Sequence, residues 1–118
     1  MSFSTVLRGV TEDVKGAKGA VLVGMDGIIV EEYISEPGVD LQSIGAEYGN
    51  ILKEVQNASA SLRLGQAREL AVLTEIADLI IRKINDEYFL ALLLSPACNL
   101  GKGRFMVRKA VNRLEKEF

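Results

Sequence analysis

The sequence predicts an α/β domain of the α+β kind: one five-stranded antiparallel sheet flanked by three helices, in the order α-β-β-α-β-β-β-α. Three observations carry this. Apolar side chains recur at helical spacing in an opening segment, a long middle segment and the closing segment. Five short apolar runs lie between them, several rich in Val, Leu and Ile. The links between neighbouring runs are brief, which favours antiparallel hairpins over crossovers.

The elements follow in order. Phe3, Val6, Leu7, Val10 and Val14 define a first helix from about Ser4 to Val14, with Ser2 or Ser4 as its cap. The Gly16-Ala17-Lys18-Gly19 break closes it, and Ala20 to Val23 reads as a strand buried on both faces. Asp26-Gly27 is the strongest turn signal and predicts a two-residue hairpin, whose loop needs positive φ. Both residues are therefore assigned a structural role. Ile28 to Ser35 returns as the second strand and Glu36-Pro37-Gly38 ends it. Leu41 to Leu62 is the long helix, stopped by Gly65. Arg68–Thr74, Leu79–Asn85 and Tyr88–Leu94 form a meander, with Asn85-Asp86 as a tight turn. The last helix starts near Leu100, with Met106, Val107, Ala110, Leu114 and Phe118 pointing inward. No repeat or linker interrupts residues 1–118, so a single domain is expected.

Composition narrows the function. Of 118 residues, 48% are hydrophobic and 25% charged, an ordinary globular balance. The lone Cys98 excludes an internal disulfide and fits a reducing compartment. With no signal-like start and no apolar run of membrane length, a cytoplasmic location is expected. The net charge of −2 argues against nucleic acid as partner. It is unevenly spread: residues 1–60 hold four basic and nine acidic groups, residues 61–118 ten and seven. The basic excess sits in the last segment, at Lys102, Arg104, Arg108, Lys109, Arg113 and Lys116. That segment is either a solvated helix face or a surface for an anionic partner.

Catalytic chemistry finds no footing. The chain has no histidine, so a Ser-His-Asp arrangement or a histidine base cannot form. One cysteine cannot build a metal cage. Gly19 and Gly24 have phosphate-loop spacing, but Met25-Asp26 stands where Lys-Ser/Thr is required. The acidic pairs Glu12-Asp13, Glu31-Glu32 and Asp86-Glu87 are sequence neighbours near element ends. A non-enzymatic protein without cofactor or metal is expected.

The long helix is the informative element. At about 100° per residue, Ile44, Tyr48, Ile51, Val55, Ala58 and Leu62 share one stripe, expected to face the core. The other face carries Gln42, Ala46, Gly49, Lys53, Gln56, Asn57 and Ala60, with one charge in nearly six turns. A solvated face would carry many more charges. Either the helix is buried on both sides, or this face packs against a partner protein or another helix.

Two segments resemble a known family. Ala20 to Val30, with its strand, Gly24-Met25-Asp26-Gly27 turn and strand, is similar to the strand-turn-strand motif of the roadblock / dynein light chain superfamily, a profilin- and longin-like fold. Leu100 to Ala110, containing Gly101-Lys102-Gly103, resembles the start of that family's last helix. The resemblance implies a homo- or heterodimer in which the strand after the long helix, with Arg68, Leu70, Val72 and Thr74, pairs with its counterpart into a ten-stranded sheet. It implies that both long helices lie on one face, which in MglB-type dimers of the bacterial polarity system receives a Ras-like small GTPase of the MglA type. It also implies stimulation of GTP hydrolysis by repositioning the GTPase's own groups. A simpler adaptor that only assembles a complex is the alternative implied.

Overall fold

The chain, as a computed structural model describing residues 2–118, runs α1 (Phe3–Glu12), β1 (Ala17–Gly24), β2 (Ile29–Ile34), α2 (Leu41–Ser61), β3 (Glu69–Leu73), β4 (Asp78–Lys83), β5 (Tyr88–Leu94) and α3 (Leu100–Glu115). Ser2 caps α1 by accepting from the Thr5 amide at 3.2 Å. The strands form one antiparallel sheet in the order β2-β1-β5-β4-β3. After the β1–β2 hairpin, α2 carries the chain across the sheet. The meander then returns strand by strand until β5 pairs with β1. This path leaves β2 and β3 as the two edges.

The sheet separates two apolar cores. Val6, Leu7 and Val10 of α1, with Val107, Ala110, Val111 and Leu114 of α3, pack on Ala20, Leu22, Ile80, Leu90, Leu92 and Leu94. On the other side α2 contributes Leu41 and Leu52 to a core with Val21, Val23, Leu79, Ile81, Phe89 and Ala91. Residues 19–24 of β1 are buried on both faces, as their unbroken small and branched run predicts. Burying side chains such as Leu7, Leu22 and Leu90 contributes about 2 kcal/mol each.

Several local expectations are corrected. β1 begins at Ala17 and not Ala20, because the Ala17–Gly19 stretch is held by pairing with Leu93 and Leu94 of β5. The β1–β2 loop has three residues, Met25-Asp26-Gly27. The Gly27 amide donates to the Gly24 carbonyl at 2.9 Å, and the Gly24 amide to that of Ile28 at 2.8 Å. Only Gly27 has positive φ, at 87°. Asp26 instead accepts from the Ile28 amide at 3.0 Å through its carboxylate. The end of α2 is set by Arg63 and not Gly65. Arg63 adopts φ 59°, and Leu64 N donates to Ser59 O at 2.9 Å, closing a Schellman-type end. Phe118 lies beyond α3, 45% exposed, and stacks on Tyr88 and Phe3 with ring centroids 4.4 and 5.3 Å away.

Candidate partner-binding surface

The orientation of α2 decides which surface is free. Asp40 caps the helix: its carboxylate accepts from the Ser43 amide at 3.1 Å and the Ser43 hydroxyl at 2.6 Å. These bonds from Ser43 hold the Asp40 carboxyl below its ordinary range. From there the helix meets the sheet through its smallest residues. A β-carbon at Gly45 would lie 3.1 Å from Val23 Cγ2, and one at Gly49 would lie 3.5 Å from the Phe89 ring. Leu41, Gly45, Gly49 and Leu52 are buried. Gly49, expected on the free face, therefore faces the sheet.

The expected core stripe is displaced to a flank. Ile44, Tyr48 and Val55 are half-buried, Ile51 is 40% exposed, and Ala58 and Leu62 are exposed. Two glycines one turn apart let the helix axis come close, and large side chains cannot occupy the narrow gap. They are turned to its side. Ile44 and Tyr48 join Leu70 and Val72 of β3 and Leu93 of β5 as half-buried groups around the α2-side core. The helix lies over β1 and β2 and leaves the β3 end of this face thinly covered.

The opposite flank is polar. Gln42, Ala46, Lys53, Asn57 and Ala60 are exposed along it. Gln56 is half-buried and already used: its side-chain amide donates to Ala67 O at 2.8 Å, and its oxygen accepts from Ala67 N at 2.9 Å. It fastens α2 to the chain entering β3. Lys53, Gln56, Asn57 and Ala60 line an open cleft of about 420 Å³ with Met25, Gln66, Lys83 and Asp86. Gln42 and Ala46 lie along the same flank nearer the start of α2. Gln66, Lys83 and Asp86 escape a sequence reading because they reach the cleft from other elements. Lys83 bonds Asp86 at 2.7 Å and also Gln66.

β3 pairs only with β4 and has no strand on its outer side among the described residues. Leu70 and Val72 point to the α2 side. Arg68 and Thr74 stand one residue outside the strand. Arg68 O still accepts from Lys83 N at 3.0 Å, while Thr74 is turned into the β3–β4 connection by bonds with Ala77. On the other side of the sheet Glu69 receives Arg82 at 3.1 Å, Arg108 at 3.3 Å and Arg104 at 3.6 Å. Burial opposes ionisation of Glu69, but Arg108 and Arg82 outweigh it and hold its carboxyl below the ordinary range.

No metal-binding cluster of His, Cys, Asp and Glu occurs among the described residues. No helix there is long and apolar enough to cross a membrane.

No family model matches the chain, and no curated protein matches it. Solved structures do. MglC from Myxococcus xanthus is 33% identical over 100% of both chains, with a TM-score of 0.72. A Roadblock/LC7 domain from Streptomyces avermitilis is 15% identical, covers 99% of this chain and 98% of its own, and has a TM-score of 0.89. MglB from Myxococcus xanthus is 18% identical, covers 97% of this chain and 85% of its own, and has a TM-score of 0.88. With a third of its residues shared with MglC from end to end, and the backbone of a Roadblock/LC7 domain, the chain belongs to the roadblock / dynein light chain superfamily.

Proposed function

We propose that this protein is a homodimeric partner and regulator of a Ras-like small GTPase of the MglA type. Its likeness to MglB and MglC supports this, and one MglB structure is described with a tetrameric arrangement. The observation that carries the reading is the division of α2 into two unlike free flanks beside an open sheet edge. In the proposed dimer the β3 edges pair. The apolar flank of Ile44, Tyr48, Ile51 and Val55 then closes over Leu70 and Val72 against the second subunit. Pairing would bond the open backbone groups of β3 and remove an aggregation-prone edge. The polar flank of Gln42, Ala46, Lys53, Asn57 and Ala60 remains outward and takes the GTPase.

A second reading is an adaptor that dimerises and docks without altering hydrolysis. It is favoured by the polar flank itself, where Lys53 is the only charged side chain. On that flank nothing is placed to enter the GTPase's chemistry, so any stimulation must act by repositioning the GTPase's own groups.

The test uses an MglA-type GTPase, titrated for binding and assayed for phosphate release. Binding with faster release is the expected result; binding with unchanged release leaves the adaptor. Ala46 is exposed, so Ala46→Arg should keep the dimer and the fold. It should weaken docking by about 2 kcal/mol, roughly thirtyfold, by burying an unpaired charge. A dimeric Ala46→Arg variant that docks normally refutes the assignment of this flank.

A further inference from the structure

The α1–α3 side of the sheet, opposite to α2, carries a separate surface. Six cations lie on or just after α3, and two of them, Arg104 and Arg108, turn toward β3 and are held by Glu69. The other four, Lys102, Lys109, Arg113 and Lys116, have no ion pair among the described residues. At about 100° per residue they fall within about 60° of one another, a rail about 21 Å long at about 1.5 Å per residue. Helix surfaces that serve only solubility interleave the two signs, whereas residues 102–113 carry no acidic side chain and acidic residues return only at Glu115 and Glu117.

The rail borders a shallow groove of mixed lining, with charged side chains at its mouth, Asp13 among them, and small apolar ones at its floor. Lys109 and Arg113 form its α3 wall, Met106 and Ala110 lie beside them, and Val6, Gly9 and Val10 come from α1. Gly9 leaves the groove open, since a β-carbon there would meet nothing within 4 Å. The space is about 40 Å³, room for a side chain and not for a small-molecule ligand. On the solvent side of the rail Phe105 is 63% exposed.

We infer that this groove docks an acidic, amphipathic segment of a partner protein, whose carboxylates follow the rail while an apolar side chain sits over Gly9 and Met106. Charge complementarity selects an anion, and the width of the rail selects a peptide. A broad anionic surface such as a membrane or a nucleic acid would also cover Glu115 and Glu117 beyond the rail, each repelling it, whereas Asp13 at the groove favours the segment's apolar side chain there over a carboxylate. The rail lies on the α1 side of α3, away from β3. It stays free when β3 edges pair, and its failure or success is independent of GTPase docking on α2.

The test is fluorescence anisotropy of the full chain with a labelled peptide of Glu-Glu-Leu repeats, beside an all-Glu peptide, an oligothymidylate and phosphatidylserine vesicles. The expected result is saturable, salt-sensitive binding of the Leu-containing peptide. Lys109→Glu with Arg113→Glu should weaken it about tenfold or more, with the melting temperature and dimer unchanged. Gly9→Leu, which fills the groove and leaves every charge, should also weaken it; Lys116→Glu serves if the double variant does not fold. Equal binding by the charge-reversed protein overturns the proposal. So does equal affinity for the all-Glu peptide, or tighter binding of DNA or vesicles than of the peptide.

Discussion

Replacing the glycines that seat the helices tests which way α2 faces, and with it every assignment of a free surface. Gly49→Ala puts a methyl 3.5 Å from the Phe89 ring, ordinary contact distance. The helix gains about 1 kcal/mol from losing a glycine. For a chain of this size that raises the melting temperature by about 4 °C. Gly45→Ala brings the methyl to 3.1 Å from Val23 Cγ2, on a stiff β-branched side chain, so repulsion offsets much of the same gain. Gly103→Ala on α3 is worse, with Leu94 Cδ1 at 2.9 Å and Ile80 Cδ1 at 3.1 Å, both in the core. Overpacking of about 1–3 kcal/mol there outweighs the helix gain. The expected order of stability is Gly49→Ala, then Gly45→Ala, then Gly103→Ala. Thermal and urea melts at one fixed protein concentration read it, because the proposed dimerisation would make the midpoint concentration-dependent. Gly49→Leu completes the series and should cost about 3 kcal/mol by displacing Phe89. A Gly49→Leu protein that melts like the parent would refute the inward placement and return Gly49 to the partner face.

Three further outcomes follow from the same geometry. Val72→Lys, at a half-buried position beside the open β3 edge, should give monomers by light scattering coupled to gel filtration; an intact dimer would exclude β3 pairing. Asp26→Asn keeps the side-chain oxygen that accepts from Ile28 and should be nearly neutral, whereas Gly27→Val at φ 87° should cost about 1 kcal/mol or more. Equal melting temperatures for those two variants would contradict the three-residue loop. Glu69, with its carboxyl depressed in the folded state, contributes stability that is present above the ordinary glutamate range and lost as pH falls through the lowered value. Glu69→Gln should therefore lower stability at neutral pH and flatten the acid limb of the stability profile; an unchanged limb would discount the arginine cluster.

How legible the fold was depends on what each signal measures. β5 coincides with its expected Tyr88–Leu94 limits because a run of large apolar residues is also its own boundary. Arg63 is invisible as a helix stop, since arginine does not announce a left-handed backbone; the end shows only in space, where Arg63 N donates to Ala60 O and Leu64 N to Ser59 O. The inward face of α2 was misplaced for a deeper reason. Periodicity weighs hydrophobicity and gives glycine almost none, yet at Gly45 and Gly49 smallness sets the approach of helix to sheet. The expected stripe joins Ile44, Tyr48, Ile51 and Val55 on one flank, but it leaves out Leu41 and Leu52, the apolar residues that α2 buries against the sheet. Gln56 shows the converse: a polar residue on an expected free face is committed to backbone groups that lie eleven residues away in sequence.

That displacement has a consequence for how one helix can serve two associations. If Ile44 and Ile51 lay against the sheet, dimerisation and docking would compete for the single remaining face of α2. With the glycines inward, the apolar and polar flanks stand on opposite sides of the helix, about 160° apart between Ile44 and Ala46. In the proposed dimer the first flank is buried against the second subunit, and that burial fixes the angle at which both polar flanks are displayed. A GTPase bound on the polar flank then touches a surface whose orientation depends on the dimer, although it displaces none of the dimer contacts. A GTPase that spans both displayed flanks binds the dimer more tightly than the monomer, and docking and dimerisation then strengthen one another by the same factor, because linkage is reciprocal. The measurable form of this coupling is a dimer dissociation constant that falls when the GTPase is added to the parent protein and stays constant with the Ala46→Arg variant.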